Sequence, residues 1–176
     1  MSERYKTYED GLFFTTLTVV GWIDVFTRKD YALEILVNLN YCINHKGLKV
    51  YAYCLMSNHL HLIASVEDGL LSNVLRHFKS YTSKKIIDLI MQHPQESRRE
   101  WLLYMFEFFS KANKHNTKYQ FWQPNNHPVD LLSPQFLQQK VDYIHNNPVE
   151  AGIVDEPHHY LYSSAHPFNM VKLAAF

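Results

Sequence analysis

The chain has 176 residues, 47% of them hydrophobic and 15% aromatic, enough to bury one sizeable core and too apolar for a disordered segment. Seventeen Lys and Arg balance seventeen Asp and Glu, which speaks against a strongly basic nucleic-acid binder; two cysteines, Cys42 and Cys54, without a CxxC pair, speak against a disulfide framework or a thiolate zinc site. No apolar run approaches the roughly 20 residues of a membrane helix and the opening residues lack the apolar centre of a signal peptide, so no membrane association and a cytoplasmic setting are expected.

Neutrality hides a gradient. Residues 1–75 carry six basic and eight acidic side chains, residues 76–118 nine and four, and residues 119–176 two and five. A basic middle segment can contact phosphates while the whole stays neutral; a helix with a solvated lysine face reads the same way.

In chain order, the β-branched and aromatic run Leu12–Val20 predicts a first strand. Asp30 is a candidate cap for a helix that carries Leu33, Leu36, Val37 and Tyr41 and that Gly47 terminates. Leu48–Leu55 and His59–Val66 read as a strand pair turning at Met56-Ser57-Asn58. Leu71, Val74, Leu75, Phe78, Ile86, Leu89 and Ile90 mark a second helix that His93-Pro94 should end. Trp101–Phe109 fits a short helix or a strand, and Tyr119–Gln123 a strand followed by a proline-rich turn. A last helix opens at Ser133-Pro134 and should stop near Asn147, ahead of Pro148; residues 155–176 read as a loosely structured tail. The order predicts an α+β, ferredoxin-like βαββαβ sheet with helices on one face plus an extra C-terminal helix, all one domain, with the His59 strand central.

Alternation along a strand puts His59 and His61 on one face and Leu60 and Leu62 on the other, an arrangement that suits two-point chelation of a divalent ion and equally a half-buried strand with two surface histidines. On the last helix Tyr143 and Asn147 are four residues apart and project from one side, with Gln139 and Lys140 on the same stripe, opposite Leu137, Val141 and Ile144. Lys140 there suits a phosphate clamp or a solvated helix lysine.

Met56-Ser-Asn-His-Leu-His61 followed by Tyr143-Ile-His-Asn-Asn-Pro-Val-Glu-Ala-Gly-Ile-Val154 resembles the signatures of the single-tyrosine HUH transposases, in particular the branch called REP-associated tyrosine transposases. Phe78–Lys85 is similar to that family's second helix, Phe121-Trp-Gln123 to its last strand and Tyr160–Ser164 to its common ending. The resemblance implies single-stranded DNA nicking and strand transfer through a covalent 5′-phosphotyrosine, with hairpin-forming repeats as the expected substrates. It implies Tyr143 as nucleophile, His59, His61 and Asn147 as ligands of a divalent metal, Mg²⁺ or Mn²⁺, and Lys79, Ser80, Thr82, Lys84 and Lys85 as DNA-facing. The family includes monomers and homodimers, so both stay open. Gln123-Pro-Asn-Asn126 departs from the pattern, since many relatives carry arginines there. Two other readings stay open: a hairpin-binding protein without cleavage, and a metal-assisted phosphodiesterase that uses water.

Overall fold

The two-residue period of the strands and the 3.6-residue period of the helices are realised in one antiparallel sheet with helices on both faces. The computed structural model describes residues 7–111 and 118–176, so Lys114 of the basic segment lies outside it. The strands are β1 (Phe13–Thr18), β2 (Leu48–Leu55), β3 (His59–Val66) and β4 (Val129–Asp130), in the order β2-β3-β1-β4. The helices are α1 (Lys29–His45), α2 (Leu71–Gln92), α3 (Arg99–Lys111) and α4 (Pro134–Glu150). This is the ferredoxin-like arrangement, with β3 between β2 and β1 as expected.

One face of the sheet is closed. Leu17, Tyr53, Leu55, Leu60, Leu62 and Ala64 pack there against Tyr31, Ile35 and Leu39 of α1, Leu75, Phe78 and Ile86 of α2 and Phe106 of α3. The other face holds a smaller cluster, Phe14, Ala52, Cys54, Met56 and Ile63, under Ile144 of α4. A bulge between Val50 and Ala52 resets the alternation of β2, turning Val50 to the large core and Ala52 to the small one.

Four expectations need correction. Asp30 sits in the first turn of α1, where its charge suits the helix dipole, rather than at the cap, which is Arg28. Tyr119–Gln123 is not a strand. Phe121 and Trp122 both turn into the same large core, which the alternation of a strand does not allow, and only Trp122 bridges Val19; the fourth strand forms beyond Pro128 instead. The last helix runs through Pro148 to Glu150, because so close to its end the missing N–H removes a single bond, and Ile153 N–H returns to the Pro148 carbonyl. Finally, residues 155–176 contain little regular structure yet are pinned along β2. Leu55 N–H donates to Tyr162 O, Ser164 N–H to Tyr53 O and Ala174 N–H to Val50 O, and Ser163 and Val171 are buried. The tail covers the open edge of β2.

Trp101–Phe109 resolves as helix, within α3. Ser133 caps α4 as expected, accepting from Phe136 N–H with Pro134 behind it. No helix among the described residues is long and apolar enough to cross a membrane.

Candidate active site

The site is built where β1, β3 and α4 meet on the smaller-core face. Antiparallel register sets Thr16 opposite His61 and Thr18 opposite His59. The facing pair bonds directly, Thr16 Oγ1 lying 2.8 Å from His61 Nδ1. One residue pair along the strand, His59 is steered from the turn: its Nδ1 lies 2.7 Å from Asn58 Oδ1. With both Nδ1 atoms held, the two Nε2 atoms converge to 3.0 Å.

The tautomers follow from the neighbours. The Asn58 amide nitrogen donates to Trp22 O at 3.1 Å and to Asp24 Oδ1 at 3.2 Å, which turns its oxygen toward His59. An oxygen can only accept, so His59 carries its hydrogen on Nδ1 and offers a lone pair at Nε2. Thr16 can give or take a hydrogen, so His61 can donate from Nε2 to His59 or, by exchanging tautomers against the hydroxyl, present a second lone pair. Burial pulls both imidazoles down from their ordinary range, His61 to about 3, where neighbouring His59 and Lys140 add to the effect. Both are neutral at pH 7, the form that binds a metal.

From above, α4 lowers Tyr143 and Asn147 onto this pair. Asn147 hydrogen-bonds the His59 side chain, and the Tyr143 ring stands 5.2 Å from the His61 ring and 5.9 Å from Phe14. Lys140 Nζ lies 5.4 Å from the Tyr143 ring centroid and 4.8 Å from that of Phe14. Tyr143 remains 42% exposed, open to a large substrate. The Lys140–Tyr143–Asn147 stripe is adjacent to the buried stripe of Leu137, Val141 and Ile144, not opposite it, since the first reaches Phe14 and the histidines while the second packs on the same sheet face.

As a metal centre the donor set fits. Two neutral imidazoles converge, each oriented through its other nitrogen, with an amide alongside. Among the described residues no three His, Cys, Asp or Glu side chains gather to hold an ion; with the Asn147 amide as a third donor the set would carry no charge of its own. Such a set leaves positions for the oxygens of an anionic substrate.

The helix expected to face DNA lies elsewhere. α2 packs on the closed face of the sheet, away from the histidines. Ser80, Lys84 and Lys85 are exposed on it, and two residues of the set turn inward. Thr82 is fully buried, donating to Phe78 O and accepting from Trp122 Nε1. Lys79 is drawn into the loop after Trp122, its ammonium donating to Gln123 O (2.5 Å), Pro124 O (3.2 Å) and Asn126 Oδ1 (2.7 Å). Burial lowers its pKa to about 8, while three acceptors for three N–H donors match the charged form. Thr16, Asn58, Asp24 and Trp22 were not singled out as site residues from sequence. Asn58 alone carried a signal, in its place within the histidine motif.

The sequence profile of a transposase family described as IS200-like matches residues 23–123, a stretch that includes both histidines and stops short of α4. Among solved structures, that of a REP-associated tyrosine transposase bound to a REP hairpin aligns with a TM-score of 0.64 over 99% of this chain and 93% of the other. The two share 18% sequence identity, a likeness of fold. No curated protein matches.

Proposed function

The chain belongs to the IS200-like transposase family, and from that footing we propose that it nicks single-stranded DNA and rejoins it, with Tyr143 as the nucleophile. The observation that carries this reading is the meeting of an exposed phenol with a pair of neutral, converging imidazoles on rigid elements. The Tyr143 oxygen would bond to phosphorus as the P–O3′ bond breaks, and the phenolic proton would pass by way of solvent to the 3′ oxygen, which leaves as a hydroxyl. The resulting 5′-phosphotyrosine keeps the bond energy, so a second 3′-hydroxyl can reverse the step and transfer the strand.

Each side chain has a part in that scheme. Lys140 sets a positive charge beside the phenol, where a phosphate must arrive. Thr16 and Asn58 hold the imidazoles, and Asn147 flanks His59. His59, His61 and Asn147 would hold a divalent ion, Mg²⁺ or Mn²⁺, which when bound supplies positive charge at the scissile phosphate. The solved neighbour carries a REP hairpin, and a hairpin-forming strand is the substrate class we extend to this chain, with Ser80, Lys84 and Lys85 of α2 left free for backbone contacts remote from the cut.

The test is cleavage of labelled single-stranded hairpin DNA with Mn²⁺, with Mg²⁺ and with chelator. Native protein should give a metal-dependent nick and an adduct that survives denaturation, and Tyr143→Phe should lose both, a drop of at least about a thousandfold, while still binding DNA. Cleavage persisting in the variant would assign the chemistry to water. Binding without cleavage under every metal would make the chain a hairpin binder.

A further inference from the structure

We propose that Trp22 is a stacking platform for the unpaired nucleobase beside the phosphate at the histidine pair, an inference that rests on the DNA-nicking reading above. Trp22 follows β1 in a single 3-10 turn, and the residue is 62% exposed although nearby Val20 and Ile23 are buried. Its backbone has φ +56°, a left-handed conformation that a bulky side chain seldom adopts and that persists only where surroundings impose it.

The surroundings do impose it. Trp22 N–H donates to Val19 O at 3.2 Å and its carbonyl accepts from the Asn58 amide, the same amide that orients His59. The preceding Gly21, at φ +62°, lies so close to the Phe109 ring that a Cβ there would come within 2.5 Å of it. The turn is thus seated on α3 from below and tied to the histidine turn from the side, and what it presents outward is an indole.

The indole stands edge-on to His59 with centroids 6.1 Å apart, and the row continues through His61 at 4.5 Å to Tyr143 at 5.2 Å. The nucleophile and Trp22 therefore flank the histidine pair from opposite ends. A strand whose phosphate lies over the histidines has a base within a sugar's length on the Trp22 side. Every base offers a π-face, which is how single-strand binders use exposed aromatics.

Binding of a fluorescent hairpin with a single-stranded flank tests this, with abasic residues placed one at a time along the flank. Trp22→Ala should weaken binding by about tenfold to a hundredfold, and Trp22→Phe should recover most of it. One abasic position should reproduce the loss in native protein and add nothing in Trp22→Ala. Trp22→Gly, which accepts a positive φ, should keep or raise the melting temperature and still lose binding, separating stacking from folding. Equal binding by all variants, or abasic penalties unchanged in Trp22→Ala, overturns the proposal. Native protein that cuts DNA while Trp22→Ala cuts and binds as well sinks this inference alone; native protein that neither binds nor cuts sinks the nicking reading with it.

Discussion

The two faces of β3 are two different solvents. Leu60, Leu62 and Ala64 look into a closed core made by three helices, whereas His59 and His61, one residue over, look into a half-open cleft under one helix. Toward the closed face β3 itself turns only apolar side chains, and the buried polar groups of that core, such as Thr82 and Trp122 Nε1, bond one another. The cleft face has buried imidazoles that are tolerable only because Thr16, Asn58 and Asn147 meet their nitrogens. A single strand thus anchors the fold with its even-numbered leucines and carries the paired histidines of the candidate site on its odd-numbered positions, and its rigidity on one side is what holds the geometry on the other.

If the division is real, the two faces should answer differently to mutation. The largest effect should come from His59→Ala, which removes an imidazole at the half-buried end of the cleft: single-turnover cleavage with Mn²⁺ should fall about a thousandfold, roughly 4 kcal/mol of barrier, while the chelated protein loses under about 1 kcal/mol of stability. Leu62→Ala should do the reverse, lowering urea stability by about 2–5 kcal/mol while each folded molecule cleaves as before. Comparable losses in both assays for either variant would erase the distinction.

Acid sharpens it further. An unfolded imidazole takes a proton below about pH 6.5, but folded His61 resists until about 3, so between those values the unfolded state holds more protons and stability falls as the pH is lowered. Chelated protein should lose about 2 kcal/mol between pH 6.5 and 5 by urea unfolding, and His61→Gln should flatten that slope. The smallest effect should be that of Asn58→Ala, which frees the His59 ring and should weaken Mn²⁺ binding by about tenfold to a hundredfold in calorimetry with the fold intact. An unchanged affinity would mean that the Asn58 bond orients nothing.

How far this was legible in sequence tracks how local the cause is. The face shared by His59 and His61 follows from the two-residue period, and that of Tyr143 and Asn147 from the helical one. Partners across strands were not legible: Thr16 sits among Thr15, Thr16 and Thr18, and only the register picks the one that reaches His61. Phe121-Trp122 has strand composition, but composition does not show that both rings turn inward. The same limit hid the inward turn of Thr82 and Lys79, which meet partners in a loop forty or more residues downstream.

The covering of the β2 edge by residues 160–174 has a consequence in time. Its bonds join positions from 105 residues apart, Tyr160 to Leu55, through 111, Ser164 to Tyr53, to still longer spans such as Ala174 to Val50, among the most non-local in the molecule. Closing so long a segment is entropically slow, whereas the β2–β3 turn forms locally and early. The β2–β3 hairpin with its paired histidines should therefore form before the outer edge of β2 is sealed, and folding should finish with a late step in which Ser163 and Val171 lose solvent together.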